Sequence, residues 1–260
     1  MPAINLWTRD ELILAFNLYL KLPFGKLHTR TPEVIELAKI TGRTVSSIAI
    51  RLTNFASCDP YHQNRGIKGM DGGRKQCQPI WDEFFQNKEA LIFESERILA
   101  EKENQTIDTK YSELLFDVKD LKGETKLREV KSRVNQNVFR QIVVANYSGK
   151  CAITGIDVPE LLFASHIIPW AKNEKERLNP ENGICLSALY DKAYDKGLIA
   201  INERFELLIS TDLKKKSKYE YYPKYFSHLE NERIILPQKY LPNKNFLQYH
   251  LDTIFAKRNH

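Results

Sequence analysis

Between Leu161 and Asp195 the chain reads LLFASHIIPW, then a polar loop ending in NPENG, then ICLSALYDKAYD. One histidine framed by apolar, strand-like residues, an Asn-Gly turn and two aspartates four residues apart follow one another here. Phosphodiester hydrolysis needs an activated water, neutralised phosphoryl oxygens and a stabilised leaving oxygen. A histidine titrating near neutrality can serve as the base. A divalent cation can polarise the phosphate and stabilise the leaving 3′-oxygen. Magnesium takes oxygen ligands and keeps several waters, so one or two carboxylates suffice to hold it.

The spacing assigns each residue a place. His166, ending LLFASH ahead of Pro169, is expected at a strand edge opening into a loop. Asp191 and Asp195 stand at i and i+4, so on a helix both carboxylates face one way. Asn182 precedes Gly183 at the start of a second strand, where its amide can bridge loop backbone groups and hold the histidine strand. Each residue also has a plainer reading: His166 as a packed loop histidine, Asp191 as a surface helix residue, Asp195 as a cap near Gly197 or a lysine's partner.

The elements around this segment follow from local signals. Thr8 as N-cap and Glu11 at the capping-box position start a helix whose apolar stripe is Leu12, Phe16 and Tyr19. Pro23 and Gly25 end it. Thr31-Pro32 opens a second helix that stops at Thr41-Gly42, and a third runs from about Thr44 through SSIAIRLTNFA. Helix, glycine turn, helix is a helix-turn-helix-like arrangement. Its second helix would enter a major groove, with Arg43, Ser47, Arg51 and Asn54 as DNA contacts and Ile48 and Leu52 facing inward. Asn64–Gly73 reads as a basic, glycine-rich surface loop touching DNA backbone, and 81–103 as one long amphipathic helix. Residues 102–110 are polar and mark the expected boundary between a helical domain, 1–105, and a second domain, 106–260. A helix over about Thr125–Tyr147 carries Val130, Val134, Val138 and Ile142 on one side and Arg133 and Arg140, further candidate DNA contacts, on the other. LIAINERFELLIS predicts a hairpin turning at Asn202–Arg204. A tail alternating basic and aromatic residues, KKKSKYEYYPKYF, and a helix-like FLQYHLDTIF follow.

A chain of 260 residues that is 42% hydrophobic and 28% charged has the composition of a soluble globular protein. No apolar run approaches the roughly 20 residues that span a bilayer, and no signal-peptide pattern opens the chain. A cytoplasmic protein without a membrane partner is the expectation. Cys58, Cys77, Cys151 and Cys185 are scattered without a CxxC pair, which speaks for buried free thiols rather than a zinc knuckle. The net charge of +6 suits a polyanionic partner. Its distribution says more: residues 1–80 hold 11 Lys and Arg against 6 Asp and Glu, 81–105 hold 3 against 7, and 106–260 hold 25 against 20. Two basic regions around an acidic one suit a two-part DNA-binding protein.

Cys151–Asp195, with CAITG, LLFASHIIPW, NPENG and ICLSALYDKAYD in order, resembles the HNH endonuclease family, most closely its bacterial restriction-type branch. The likeness extends to VNQNVFRQIVVANYSGK upstream and to DKGLIAI, IILP and LQYH downstream. WTRDELILAFNLYLKLPFGK and GRTVSSIAIRLTNFASCDP resemble segments commonly joined to such nucleases. The resemblance implies an α+β protein: a helix-turn-helix-like N-terminal domain, then a ββα-metal fold of two strands and a helix around one divalent cation. It implies His166 as general base, Asn182 as the central structural asparagine, and Asp191 and Asp195 as metal ligands. Two departures stand out. Many members place an Asp or His ligand just before the base, where this chain has Ser165, and the last family position is Asp191 rather than His. Oxygen donors favour Mg²⁺, or Mn²⁺, over Zn²⁺.

The function implied is a metal-dependent endonuclease cutting double-stranded DNA to 5′-phosphate and 3′-hydroxyl ends. One site cuts one strand, so double-strand cleavage implies a homodimer or sequential nicks. Two alternatives stay open: a non-catalytic DNA-binding protein on a degenerate nuclease scaffold, and an RNA nuclease.

Overall fold

The structure is a computed structural model that describes residues 6–22, 24–64, 66, 70–115 and 121–259. The chain divides into two compact units, Met1–Val138 and Phe139–His260. This division falls inside a helix, whereas the polar 102–110 segment marks a change of composition.

The first unit is helical. Helix α1 (Arg9–Lys21) starts with the complete capping box of Thr8 and Glu11. Helix α2 (Pro32–Thr41) has proline in its first turn and ends at Gly42, whose φ of 69° needs a residue without Cβ strain. Helix α3 (Val45–Cys58) is capped by the Thr44 side chain. Ile48 and Leu52 are fully buried, as their spacing requires. Helices α4 (Pro60–Asn64), α5 (Arg74–Phe84) and α6 (Lys88–Lys102) follow. The expected glycine-rich loop lies partly outside the described residues, and its end, Asp71–Gly73, is a 3₁₀ turn.

The single helix predicted over 81–103 is instead two, α5 and α6. The break comes from Asn87, whose side chain accepts the Ala90 N–H and begins a new helix. Local capping there outweighs the continuing amphipathic pattern. An aromatic core fills the unit, with Phe16 and Phe55 stacked at 4.9 Å and Trp81 tilted against Phe16 at the same distance. Helix α7 (Ile107–Lys110) precedes α8 (Gly123–Asn146), which spans the division between the units. Val130, Val134, Val138 and Ile142 are all buried, following the predicted stripe.

In the second unit, strand β1 (Leu162–His166) pairs antiparallel with β2 (Gly183–Ser187), in a register that sets Ser165 against Ile184 and His166 against Gly183. Helix α9 (Ala188–Asp195) leaves β2 directly. Strands β3 (Ile199–Ile201) and β4 (Leu207–Ile209) form the predicted hairpin. Helices α10 (Thr211–Lys214), α11 (Tyr221–Tyr225) and α12 (Lys244–His250) complete the unit.

The expected turn is a single 3₁₀ turn, Pro180–Asn182, closed by the Gly183 N–H on the Pro180 carbonyl. Gly183 is extended, with φ −127° and ψ 139°. Glycine is required there by close approach, since a Cβ would lie 2.4 Å from Val143 Cγ2 and 2.8 Å from Phe139 Cζ. The C-terminal part of α8 therefore packs directly on the backbone where β2 begins.

All four cysteines are buried free thiols. Among the described residues no helix is long and apolar enough to cross a membrane.

Candidate active site

His166 is the last residue of β1, where the strand gives way to the loop leading to Asn182. Its ring stacks on Phe139 at 4.0 Å and meets Trp170 edge-on at 5.5 Å. Nε2 lies 2.9 Å from the Arg177 carbonyl oxygen. A carbonyl can only accept, so this contact puts the proton on Nε2 and leaves the Nδ1 lone pair as the basic site. Burial among aromatic rings pushes the imidazole down to about 4, the Arg177 carbonyl opposing and its guanidinium adding slightly. At neutral pH the ring is an uncharged base in a single tautomer.

Asn182 holds the loop that frames this ring. Its Oδ1 accepts the Ile168 N–H at 2.8 Å, and its Nδ2 donates to the carbonyls of Ile168 at 3.1 Å and Glu176 at 3.0 Å. It is 1% exposed, so these bonds replace solvation that the amide has lost. The Ile167 N–H also donates to the Asn182 carbonyl at 3.0 Å, extending the β1–β2 pairing by one rung.

Asp191 and Asp195 lie one turn apart on α9 and line an open cleft of about 490 Å³ together with Ser165, His166, Trp170 and His250. The buried Ser165 hydroxyl donates to Asp191 Oδ1. The Asp195 carboxyl is raised above its ordinary range, first by burial and then by the negative charge of Asp191, with Lys192 and Lys196 offsetting part of the rise. Two carboxylates that repel each other in a cleft would be stabilised by a cation. All-oxygen donors fit a hard divalent ion that keeps water ligands. Among the described residues no group of three or more His, Cys, Asp and Glu side chains converges on one point, so Asp191 and Asp195 are the donors at hand.

His250, whose ring stacks on Tyr194 at 3.8 Å, donates from Nε2 to the Tyr194 carbonyl at 3.0 Å. It therefore ties the tail to the end of α9. Burial pushes this histidine down to about 4 as well.

The structure sets His166, Asp191 and Asp195 on one cleft, with Asn182 bracing the loop beside His166. The other candidates lie elsewhere. In the first unit Arg43 donates to both Glu11 carboxylate oxygens at 2.8 and 2.7 Å and to the Leu6 carbonyl. Arg51, 7% exposed, reaches the Gly73 carbonyl and Gln76 Oε1. Asn54 is buried and donates to the Met70 carbonyl. Ser47 is partly exposed on α3, beside the exposed Ser46 and Ile50. Arg133, partly exposed on α8, donates to the Leu114 carbonyl. In the second unit Arg140 donates to the carbonyls of Leu162 and Pro159, bracing the start of β1.

Sequence reasoning missed the tethers that set the chemistry. The Arg177 carbonyl is a backbone atom 11 residues from His166, and no residue type signals it. Ser165 registered only as a missing ligand, yet its hydroxyl orients Asp191.

Residues 151–202 match the family model for HNH endonucleases. That segment holds β1, β2, α9 and β3, with His166, Asp191 and Asp195 of the cleft and the loop-bracing Asn182. It amounts to about a fifth of the chain. A search of curated proteins returns no match.

Proposed function

We propose that the protein is a metal-dependent endonuclease of restriction type acting on double-stranded DNA. The observation that carries this reading is the neutral His166, with its tautomer held by the Arg177 carbonyl, in one cleft with Asp191 and Asp195. In this reading Nδ1 of His166 takes the proton of the attacking water, and Nε2–H stays on the carbonyl so the ring cannot rotate away. A phosphate anion entering the cleft stabilises the imidazolium and raises the base toward its working range. Asp191, oriented by Ser165, and Asp195 hold a divalent cation, Mg²⁺ first and Mn²⁺ second. When bound, that ion neutralises phosphoryl charge and stabilises the leaving 3′-oxygen, giving 5′-phosphate and 3′-hydroxyl ends.

The 1–105 region is the DNA-binding domain of this proposal and 106–260 the nuclease with its extension. Helices α2 and α3 act as the helix-turn-helix, with Ser47 on the groove-facing side. Arg43, Arg51 and Asn54 hold α3 and its neighbouring loops in position through their internal bonds. Arg133 and Arg140, partly exposed on α8, would meet backbone phosphates. The protein works in the cytoplasm, and double-strand cleavage needs two copies or two nicks.

Incubating supercoiled plasmids, methylated and unmethylated, with Mg²⁺ tests the reading. Nicked or linear products that EDTA abolishes are expected. No metal-dependent cleavage of any plasmid overturns it in favour of a non-catalytic DNA-binding protein. One contact favours that second reading: Asp191 already spends an oxygen on Ser165. Cleavage of RNA but not DNA would reassign the substrate.

A further inference from the structure

We propose that the exposed segment Lys214–Tyr225, beyond the part of the chain that matches the nuclease family, is a stacking platform for unpaired nucleotides. The inference rests on the nuclease reading for its biological sense but not for its physics. Every residue from Lys214 to Tyr221 is exposed, an unbroken run between the buried anchors Leu213 and Tyr222. Tyr219, Tyr221 and Tyr225 are 46%, 42% and 39% exposed, an aromatic surface that a fold with no partner for it would bury. Tyr219 and Tyr221 already stack with centroids 5.7 Å apart and planes 7° from parallel, so further rings can continue the stack.

The cations are placed to match. Lys218 Nζ lies 5.3 Å from the Tyr219 ring centre and Lys224 Nζ 5.2 Å from that of Tyr225. Lys214 pairs with Glu230 and Lys215 with Asp212, whereas among the described residues Lys216, Lys218 and Lys224 form no ion pair. Open aromatic faces flanked by unpaired ammonium groups recognise a chain that alternates planar bases with phosphates. A duplex hides its base faces in its own stack, so the fit is to a single strand. The platform is tied to α9: the Tyr190 hydroxyl donates to the Tyr225 carbonyl at 2.7 Å, and the Tyr190 ring meets Phe226 edge-on at 6.1 Å. Tyr190 directly precedes Asp191 on α9. A strand displaced at the cutting site thus has a holding surface next to it.

The test is equilibrium binding of fluorescent oligothymidylate to the full chain in EDTA, where no metal-dependent cleavage competes. Replacing Tyr219 and Tyr221 together with Ala should weaken binding about ten- to a hundredfold, and the corresponding Phe variant should restore it. Replacing Lys216, Lys218 and Lys224 with Gln should lower the slope of log affinity against log salt by about 2. Unchanged oligothymidylate binding in the alanine variant overturns the proposal, as does an equal loss on a duplex of the same length. Displacement of the oligonucleotide by polyglutamate at matched charge also overturns it, in favour of an acidic protein partner. Failure here leaves plasmid cleavage intact. Failure of the nuclease reading removes cleavage but leaves the tyrosine-dependent binding, so the two are told apart.

Discussion

Glu96 in the first unit and Asp195 in the second are both carboxylates that folding deprives of some hydration, and their surroundings answer in opposite ways. Glu96 is 3% exposed. Burial alone would raise its carboxyl, but Lys21 at 2.8 Å, the Tyr111 hydroxyl at 2.7 Å and Lys110 bring it below its ordinary range. Asp195 keeps solvent on one side, yet its carboxyl is raised, first by the burial of its other side and then by the negative charge of Asp191, the flanking lysines offsetting only part of the rise. The first is a charge completed by the protein. The second has a like charge beside it and only partial compensation from lysines. Burial acts on both carboxyls in the same direction, so what separates them is whether opposite or like charge lies alongside.

The largest expected effect breaks the comparison at the chemistry. His166→Ala should slow plasmid nicking by about 10³-fold, within the range that general-base removal costs, while circular dichroism shows the fold retained. Normal cleavage by that variant would remove His166 from the mechanism.

Next come the two acids themselves. Glu96→Ala should destabilise the first unit by about 3 kcal/mol, because Lys21 and the Tyr111 hydroxyl lose their partner in a nearly dry site while Lys110 keeps Glu103. Asp195→Asn should leave melting without metal nearly unchanged and should abolish the stabilisation that Mg²⁺ confers on the parent. Equal loss of stability in both variants, read by denaturant titration, would dissolve the distinction.

Acid should separate the units. His166 and His250 titrate at about 4 in the folded protein against an ordinary value of 6.5, so between those limits the unfolded chain binds more protons. Stability of the second unit is then full above pH 6.5 and falls as pH drops toward 4, by about 2 kcal/mol or more for the two together. Asp195, raised rather than lowered, works weakly the other way. Glu96 is lowered, so its contribution to the first unit is present above 4.5 and lost only below it. Hydrogen exchange at pH 5 should show the second unit loosening first. Simultaneous loss of protection in both would contradict this order.

The smallest effect concerns positioning. Ser165→Ala should weaken Mg²⁺ binding a few-fold, measured by calorimetry, with little change in stability. An unaltered affinity would mean that Asp191 needs no help to point into the cleft.

Much of this was legible along the chain because the deciding interactions are short-range. Thr8 and Glu11 are three residues apart, Pro32 and Gly42 act on their own backbone, and Asp191 and Asp195 share a helix face by spacing alone. The same local reading misjudged 81–103, where a periodic pattern masked the cap at Asn87. It found the turn that ends at Gly183 but not why glycine stands there, since that answers to Val143 and Phe139 some forty residues earlier.

By itself, then, the sequence determined where most helices start, which face of each is apolar, and which histidine and two aspartates to ask about for hydrolytic chemistry. Only the tertiary structure decided which imidazole nitrogen is basic, that Ser165 orients Asp191, and that Arg43, Arg51 and Asn54 spend their polar groups inside the first unit. It also decided which of two perturbed carboxylates is complete. The reason is physical: propensity and spacing act over a few residues, whereas hydrogen-bond partners, desolvation and charge compensation depend on atoms that only folding brings within 3 Å.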